Sequence, residues 1–538
     1  MQAIQLSTAD WVVLIAYLAG ISLIGLLAGR KVRNTDQYFL GERRFSRWIM
    51  IAQSFATGTR AEMVVAQAGA VLTMGASAIW FQWKNLFATP FYWMMAPVFR
   101  RVKRTTMAEM VEDRYGPWMG AVYTVFAMLF FMVNMAGMLK GAGKVISQAT
   151  GGNVPVNEIV VVMTLVFAFY SFVGGLSSAA WADMLQGLLI LTLSFLLIPL
   201  GWGVVGGMDG MRGALDPHMF SLATPKGIGP WFIFMLTLNG LIGIMAMPHL
   251  IAVAGTGKDE HACRTGMMYG NFIKRLCTVG WVLVGLIVAA MFALGKAGIP
   301  ALNEPEEAFG FACRRLLFSG GVGLLIACVL AANMAGCATY MVNCGALFTR
   351  NFYGRYFVRD KGDAHYLWIG RFSGALITAA SFIYAVFFID KVLYSFLLTE
   401  TMATYVGIAV LGGFIWRRGN RWGAFSGIIV AFAVNFAMYA ALGKRFDHWD
   451  PNVFCTALAA GSAAYVLISL LTKPEPAEQN EAFFRRLEDG PPLILVDLLR
   501  RKKRPLLRAY IEDWKGFAAA WGVVAALLAL AWLILTVC

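Results

Sequence analysis

The chain has 538 residues, of which 59 % are hydrophobic and only 14 % charged, against about 45–50 % apolar and about 25 % charged in soluble domains. With a mean hydropathy of +0.65, this composition excludes a water-soluble enzyme and a disordered chain, and no Gly-X-Y or heptad period supports a fibre. The net charge of +15 fits a nucleic-acid binder or a membrane protein with basic cytoplasmic loops, so the position of the cations decides.

Apolar windows long enough to cross about 30 Å of hydrocarbon as helix follow one another at 8–29, 47–75, 77–98, 117–147, 155–174, 179–204, 230–254, 271–296, 317–349, 367–389, 392–416, 422–442, 453–472 and 515–537. The first stretch has no basic region ahead of it and reads as an uncleaved helix, not a signal peptide. The next loop carries Arg30, Lys31, Arg33, Arg43, Arg44 and Arg47, and the loop after the third stretch carries Arg100, Arg101, Lys103, Arg104 and Arg114. Both are placed in the cytoplasm. Alternation brings Lys274 and Arg275, then Arg350, Arg355, Arg359 and Lys361, then Arg417, Arg418 and Arg421, and finally Arg500 to Arg504 to the same side, with Glu304, Glu306 and Glu307 opposite. Fourteen spans leave both termini extracellular or periplasmic. The basic surplus is then topology, and no nucleic-acid partner is expected.

The chain divides into a first helix and loop (1–46), a block at 47–204, an external loop at 205–229, a second block at 230–416, two accessory helices (417–472), a cytoplasmic amphipathic basic segment (473–514) and a final helix (515–538). The 473–514 segment, ending in a basic run, reads as lying on an anionic leaflet. Eight scattered cysteines without a C-x-x-C pair suit buried thiols, not a disulfide framework or a zinc site. No P-loop, G-x-S-x-G or H-E-x-x-H occurs, so neither ATP-driven pumping nor enzymatic catalysis is expected.

Six segments carry a resemblance. They are Asp36-Gln-Tyr-Phe-Leu-Gly-Glu-Arg, Thr105-Thr-Met-Ala-Glu-Met-Val-Glu-Asp-Arg-Tyr-Gly, Phe172-Val-Gly-Gly-Leu-Ser-Ser-Ala-Ala-Trp-Ala-Asp-Met-Leu-Gln, Pro248-His249, Phe348-Thr-Arg-Asn-Phe-Tyr, and Gly412-Gly-Phe-Ile-Trp-Arg-Arg-Gly-Asn-Arg-Trp-Gly-Ala. In this order and spacing, over about 8–472, the chain resembles the sodium:solute symporter family, with a helix count like its sodium/sugar branch. The resemblance implies an all-α polytopic fold with a ten-helix core of two inverted five-helix repeats. It also implies alternating-access symport of a small polar solute, sodium as coupling ion, no organic cofactor, and a plasma or bacterial inner membrane. The first helix of each repeat should be broken. Gly58 interrupts the second span and Gly240 with Gly243 the seventh, which would expose carbonyls and half-helix ends to a cavity.

By the same resemblance, sodium would take carbonyls of Ala56 and Thr59 and of Ala332, and two further ligands at Ala335 and Gly336, where sodium-binding members carry Ser or Thr. Ala332, Ala335, Gly336 and Thr339 share one helix face at i, i+3, i+4 and i+7, so the register holds while the hydroxyls are missing. Arg60 lies just past the break, and an intramembrane Arg is costly unless paired or hydrated. Glu62 and Asp183 are its expected partners, Asp183 matching a carboxylate of the family. Three readings of Arg60 stand open. Its guanidinium replaces the missing sodium, making transport sodium-independent or proton-linked; or it binds an anionic solute while a cation sits near Asp183 and Thr339; or it snorkels along a vestibule. Lys84 and Glu400 should point inward, each as ion-pair partner or solute contact, and Asn239 should either contact the solute or satisfy backbone freed at the second break. His249 reads as a hydrogen-bonded core residue, and Met128, Phe130, Phe131 and Met132 as packing. Arg60 favours a carboxylate-bearing solute. A solute sensor, or one subunit of a larger membrane assembly with a separate partner, is the rival to a transporter.

Overall fold

The structure, a computed structural model, describes residues 7–30, 34–152, 154–224, 227–299, 301–302, 304–358, 361–389, 392–443, 449–488, 490–499 and 510–536. The basic run Arg500 to Arg504, Lys31, Arg33, Arg359 and both chain ends lie outside them.

All regular elements among these residues are helices. They are α1 (Thr8–Gly29), α2 (Arg47–Gly58), α3 (Ala61–Met74), α4 (Thr89–Val102), α5 (Met107–Tyr115), α6 (Pro117–Ala149), α7 (Val156–Phe195), α8 (Leu197–Val205), α9 (Pro230–Gly243), α10 (Leu250–Ala254), α11 (Glu260–Ala293), α12 (Gly321–Leu347), α13 (Asp363–Phe387), α14 (Val392–Ile415), α15 (Arg421–Ala441), α16 (Pro451–Leu471), α17 (Ala477–Leu487) and α18 (Ile511–Thr536), with short helical turns between some of them. Local chemistry sets several starts. Side chains of Ser46, Thr106, Asp259, Asn420 and Asp450 accept backbone N–H groups of the first turns of α2, α5, α11, α15 and α16.

Among the described residues nine helical runs are long and apolar enough to cross a membrane. One of them, Val156–Val205, has 50 residues, about 75 Å of helix and more than two crossings. It folds at Gly175, whose φ of +57° suits glycine and whose backbone meets the Tyr38 carbonyl so closely that a Cβ would stand 2.5 Å from it. Splitting that run and adding α4 and the shorter apolar helices Thr8–Ile24, Pro230–Ala246 and Thr399–Ile415 accounts for all fourteen sequence windows.

Two similar series emerge. Each opens with a broken helix, α2/α3 or α9/α10, and continues through four more spans. The sequence placed the second break at Gly240 and Gly243, but Gly240 lies inside α9 and Gly243 is its last residue. The irregular backbone comes later, through a short 3₁₀ turn to Met247, which is extended, and Pro248. Gly240 is needed for contact instead: a Cβ there would stand 2.1 Å from Asn85 Oδ1.

Helices α11 and α12 form the centre, with 83 % and 94 % of their most apolar windows buried, against 28 % for α18. Helix α2 packs on α11, α7 and α12, and α15 pairs with α16. Exposed Leu165, Leu188, Phe372 and Phe387 give the outer helices a face suited to lipid. The apolar face of α17, expected on the leaflet, is instead covered by protein: Phe483, Phe484 and Leu487 are buried where α17 meets α4 and α5. The described cysteines are free thiols, all buried except the partly exposed Cys455.

Candidate functional site

The first break is two residues wide. Helix α2 ends at Gly58, Thr59 and Arg60 are extended, and α3 begins at Ala61. A helix end leaves up to four carbonyls without helical donors, and here the chain directs different partners to them. The Thr59 N–H donates to the Ala56 carbonyl at 3.2 Å, while Lys274 Nζ donates to the Gly58 carbonyl at 2.5 Å. The Thr59 hydroxyl is buried without a hydrogen-bond partner among the described residues.

Thr57, one residue before the end, turns to α7 and α12. Its Oγ1 lies 3.5 Å from Asp183 Oδ2 and 3.4 Å from Thr339 Oγ1. Asp183 is fully buried, and its Oδ1 has no hydrogen-bond partner among the described residues. Three helices thus bring a carboxylate and two hydroxyls together beside a helix end.

The α12 register predicted from sequence is visible next to this cluster. A Cβ at Gly336 would stand 3.7 Å from the Thr57 carbonyl, but also 2.2 Å from Met138 Cε. The Met138 methyl therefore occupies the space a Ser side chain at 336 would enter. Ala332 and Ala335 are fully buried on the same helix and add no side-chain oxygen.

Arg60 does not join Asp183. Its Nη1 donates to Asn134 Oδ1 at 3.1 Å, its Nη2 donates to the Tyr340 hydroxyl, and the guanidinium carbon lies 5.1 Å from the Tyr340 ring centre. Among the described residues Asp183 has Thr57 as its hydrogen-bond partner instead. The expected Arg60–Asp183 pair is therefore absent among the described residues, because Asn134 and Tyr340 hold the side chain between α6 and a point on α12 one turn beyond Gly336. Glu62 begins the first turn of α3, and its side chain is outside the described set. Phe131 packs on Tyr340 with ring centres 4.9 Å apart, and His249 at 5.2 Å. Phe130, assigned to packing from sequence, faces both His249 and Tyr340. His249 Nδ1 has no hydrogen bond among the described residues, so the ring is held there by stacking and not by the expected bond.

Lys84 and Glu400 form a buried ion pair, their side chains 4 % and 11 % exposed. Beside it the Thr404 hydroxyl donates to the Asn239 and Glu400 carbonyls at 3.0 and 3.1 Å, and Gly243 packs against that hydroxyl. This cluster ties the region between α3 and α4 to α9 and α14.

Sequence reasoning missed Thr57, Asn134, Tyr340 and Lys274 as site residues. It also placed Lys274 and Arg275 in a cytoplasmic loop. In fact α11 starts at Glu260, so Lys274 lies about 21 Å along it at about 1.5 Å per residue, and the two residues are only 7 % and 1 % exposed. Asp259 was the available signal: an N-cap there extends the helix a dozen residues upstream of the apolar window.

A model of the sodium:solute symporter family matches residues 38–431. The chain is 22 % identical to the sodium/proline symporter of Salmonella typhimurium, covering 89 % of this chain and 96 % of that one. It is 25 % identical to the osmoregulated proline transporter OpuE of Bacillus subtilis (90 % and 98 %) and 25 % identical to the sodium/pantothenate symporter of Escherichia coli (82 % and 92 %). In structure it is similar to a sodium-coupled sialic acid symporter in an outward-open state, with a TM-score of 0.74 at 18 % identity over 87 % of this chain and 99 % of that one. A nucleobase-cation-symport-1 transporter, Mhp1, gives 0.54 at 13 % identity, covering 83 % and 98 %. Both likenesses concern the fold, the inverted-repeat transporter architecture whose two broken helices are described above. With a broken helix opening each half and a family match over most of its length, the chain belongs to the sodium:solute symporter family.

Proposed function

We propose that the chain is a sodium-coupled symporter of a small carboxylate-bearing solute, with the cation at Thr57, Asp183 and Thr339 and the solute carboxylate at Arg60. The observation that carries this reading is the spacing of the three oxygens. Separations of 3.4 and 3.5 Å are long for O–H···O bonds, which cluster near about 2.7–2.8 Å. They match the edge of an oxygen octahedron, about 3.4 Å, around a hard cation with ligands near about 2.4 Å. A buried carboxylate with one oxygen unbonded in the protein supplies the compensating charge.

Arg60 supports the other half. Its guanidinium is buried, bonded by Asn134 and Tyr340 and faced by the Tyr340 ring, and a planar fork is the side chain suited to recognising a carboxylate. Proline, pantothenate and sialic acid, the solutes named for the relatives and the structural neighbour, each carry one. In a plasma or bacterial inner membrane, both termini would lie outside, with the connections carrying Arg104 and Arg417 in the cytoplasm.

The test is uptake of proline, pantothenate and sialic acid, each alone, by purified protein in vesicles under an inward sodium gradient. One of these solutes accumulates with sodium, and Asp183→Asn lowers the sodium stimulation about a hundredfold, as loss of a buried charged ligand should. Arg60→Lys raises the half-saturating solute concentration about tenfold and leaves the sodium dependence in place. Uptake by wild-type protein that is indifferent to sodium, or Asp183→Asn with the wild-type sodium curve, overturns the cation assignment.

A further inference from the structure

The carbonyl end of α2 holds a cation that belongs to the chain. Gly266, Gly270 and Lys274 recur every four residues on α11 and form one ridge of that helix. A Cβ at Gly266 would stand 2.4 Å from Met50 Cβ, and one at Gly270 would stand 2.8 Å from the Ile51 carbonyl and 2.9 Å from the Phe55 nitrogen. The two glycines thus lay α11 along α2 at backbone distance. The ridge advances in step with α2, from Met50 through Phe55 to Gly58. At the third position the side chain is lysine, and its ammonium reaches the Gly58 carbonyl, 2.5 Å away.

The neighbours of that carbonyl define what the ammonium does. One residue before Gly58 is Thr57, which faces Asp183 and Thr339. Two residues after it is Arg60, set on Asn134 and Tyr340. A helix C-terminus concentrates negative partial charge on its unsatisfied carbonyls, and cations are stabilised there. The Met138 methyl fills the space beside Gly336 and the Thr57 carbonyl, so at position 336 apolar volume stands where a ligand side chain would be.

We propose that Lys274 is a tethered cation of the transport site: its ammonium takes a cation position at the Gly58 carbonyl end of the broken helix, so that one mobile cation, not two, accompanies each solute. Lys274 acts as a positioning residue, fixing the turn that carries Thr57 and Arg60. This rests on the reading of the Asp183 cluster as the mobile-cation site.

Sodium-driven proline, pantothenate or sialic acid uptake, whichever proves active, is measured in vesicles against sodium concentration for wild type, Lys274→Arg and Lys274→Ala, each checked for a single melting transition. Wild type shows a Hill coefficient of about 1 for sodium. Lys274→Arg, which keeps the charge, stays within about threefold of wild type. Lys274→Ala loses uptake about tenfold and regains it when methylammonium is added at tens of millimolar, because a free ammonium can then sit on the carbonyl. A wild-type stoichiometry of two sodium ions per solute overturns the proposal even if Lys274→Ala does not fold. So does a folded Lys274→Ala protein with wild-type uptake, or one that methylammonium does not restore. Solute binding, read as a rise in melting temperature, supplies the methylammonium arm without sodium, so failure of the Asp183 reading, seen as an unchanged sodium curve in Asp183→Asn, is distinguishable from failure of this one.

Discussion

At Gly336 a single methyl group controls the local chemistry. Met138 Cε fills the volume into which a side chain at 336 would project, and the Thr57 carbonyl lies just beyond. Gly336→Ser alone forces the new side chain into that methyl, an overpacking that costs about 1–3 kcal/mol. The double substitution Met138→Ala with Gly336→Ser removes the obstruction and places a hydroxyl beside the carbonyl. The oxygen set around Thr57 then gains a member, which a hard cation favours. The double variant is expected to lower the half-saturating sodium concentration of uptake about threefold to tenfold, while Gly336→Ser alone lowers the melting temperature without that gain. An unchanged sodium curve in the double variant would show that the Thr57 carbonyl is out of the cation's reach. The alanine and glycine at 335 and 336 were legible in the sequence as absent hydroxyls. Met138 was not, because a methionine in an apolar helix looks the same whether it fills a core gap or a ligand position.

Between elements, the buried Lys84–Glu400 pair joins the stretch before α4 to α14. Removing one member of such a pair leaves the other charge in a low-dielectric interior and costs about 3–5 kcal/mol, whereas removing both is far milder. Glu400→Gln and Lys84→Met should each lower the melting temperature of the detergent-solubilised protein sharply, and the double variant should recover at least half of the loss; additive losses would mean the charges are stabilised independently. The same pair shows how far the helical pattern could be read. Both residues stood out because topology could place neither in a loop. Their pairing could not be deduced, since they are more than 300 positions apart in sequence and only the packing of the two repeats brings them together. The second break illustrates a different limit. Gly240 and Gly243 looked like helix breakers, yet they serve close packing against Asn85 and Thr404, and a proline with its preceding extended residue interrupts the helix instead.

Over the whole molecule, hydropathy located the apolar runs that form the long described helices, because crossing a bilayer demands long apolar helices whatever their contacts. Hydropathy and cation placement misplaced Lys274 and Arg275, for a cation near the start of an apolar window looks like loop unless the N-cap upstream is noticed. They also could not say what covers the segment after α16. There, beside hydrogen bonds from Arg101 to the Leu487 carbonyl and from Arg114 to Asn480 Oδ1, α17 is docked by two kinds of force. The first is ionic: Asp113 on α5 accepts Arg104 Nε at 2.7 Å and Arg104 Nη2 at 2.6 Å, and also accepts Arg486 of α17. The second is apolar: Phe483, Phe484 and Leu487 are almost wholly buried, with Phe483 against Phe414 at 5.6 Å between ring centres. Arg486 is 43 % exposed, so its bond to Asp113 competes with water and contributes about 0–1 kcal/mol. Truncating a buried Phe costs about 3–5 kcal/mol. The apolar face should therefore dominate. Phe484→Ala is expected to speed amide hydrogen exchange over residues 477–487 about a hundredfold or more, and Asp113→Asn less than about fivefold, both read by mass spectrometry on the full-length protein. Raising salt should reproduce the small effect and leave the large one unchanged, because screening acts on exposed ions and not on buried rings. If Asp113→Asn instead opens the segment as far as Phe484→Ala does, α17 is held by charge, and its attachment to the ends of α4 and α5 would respond to ionic conditions.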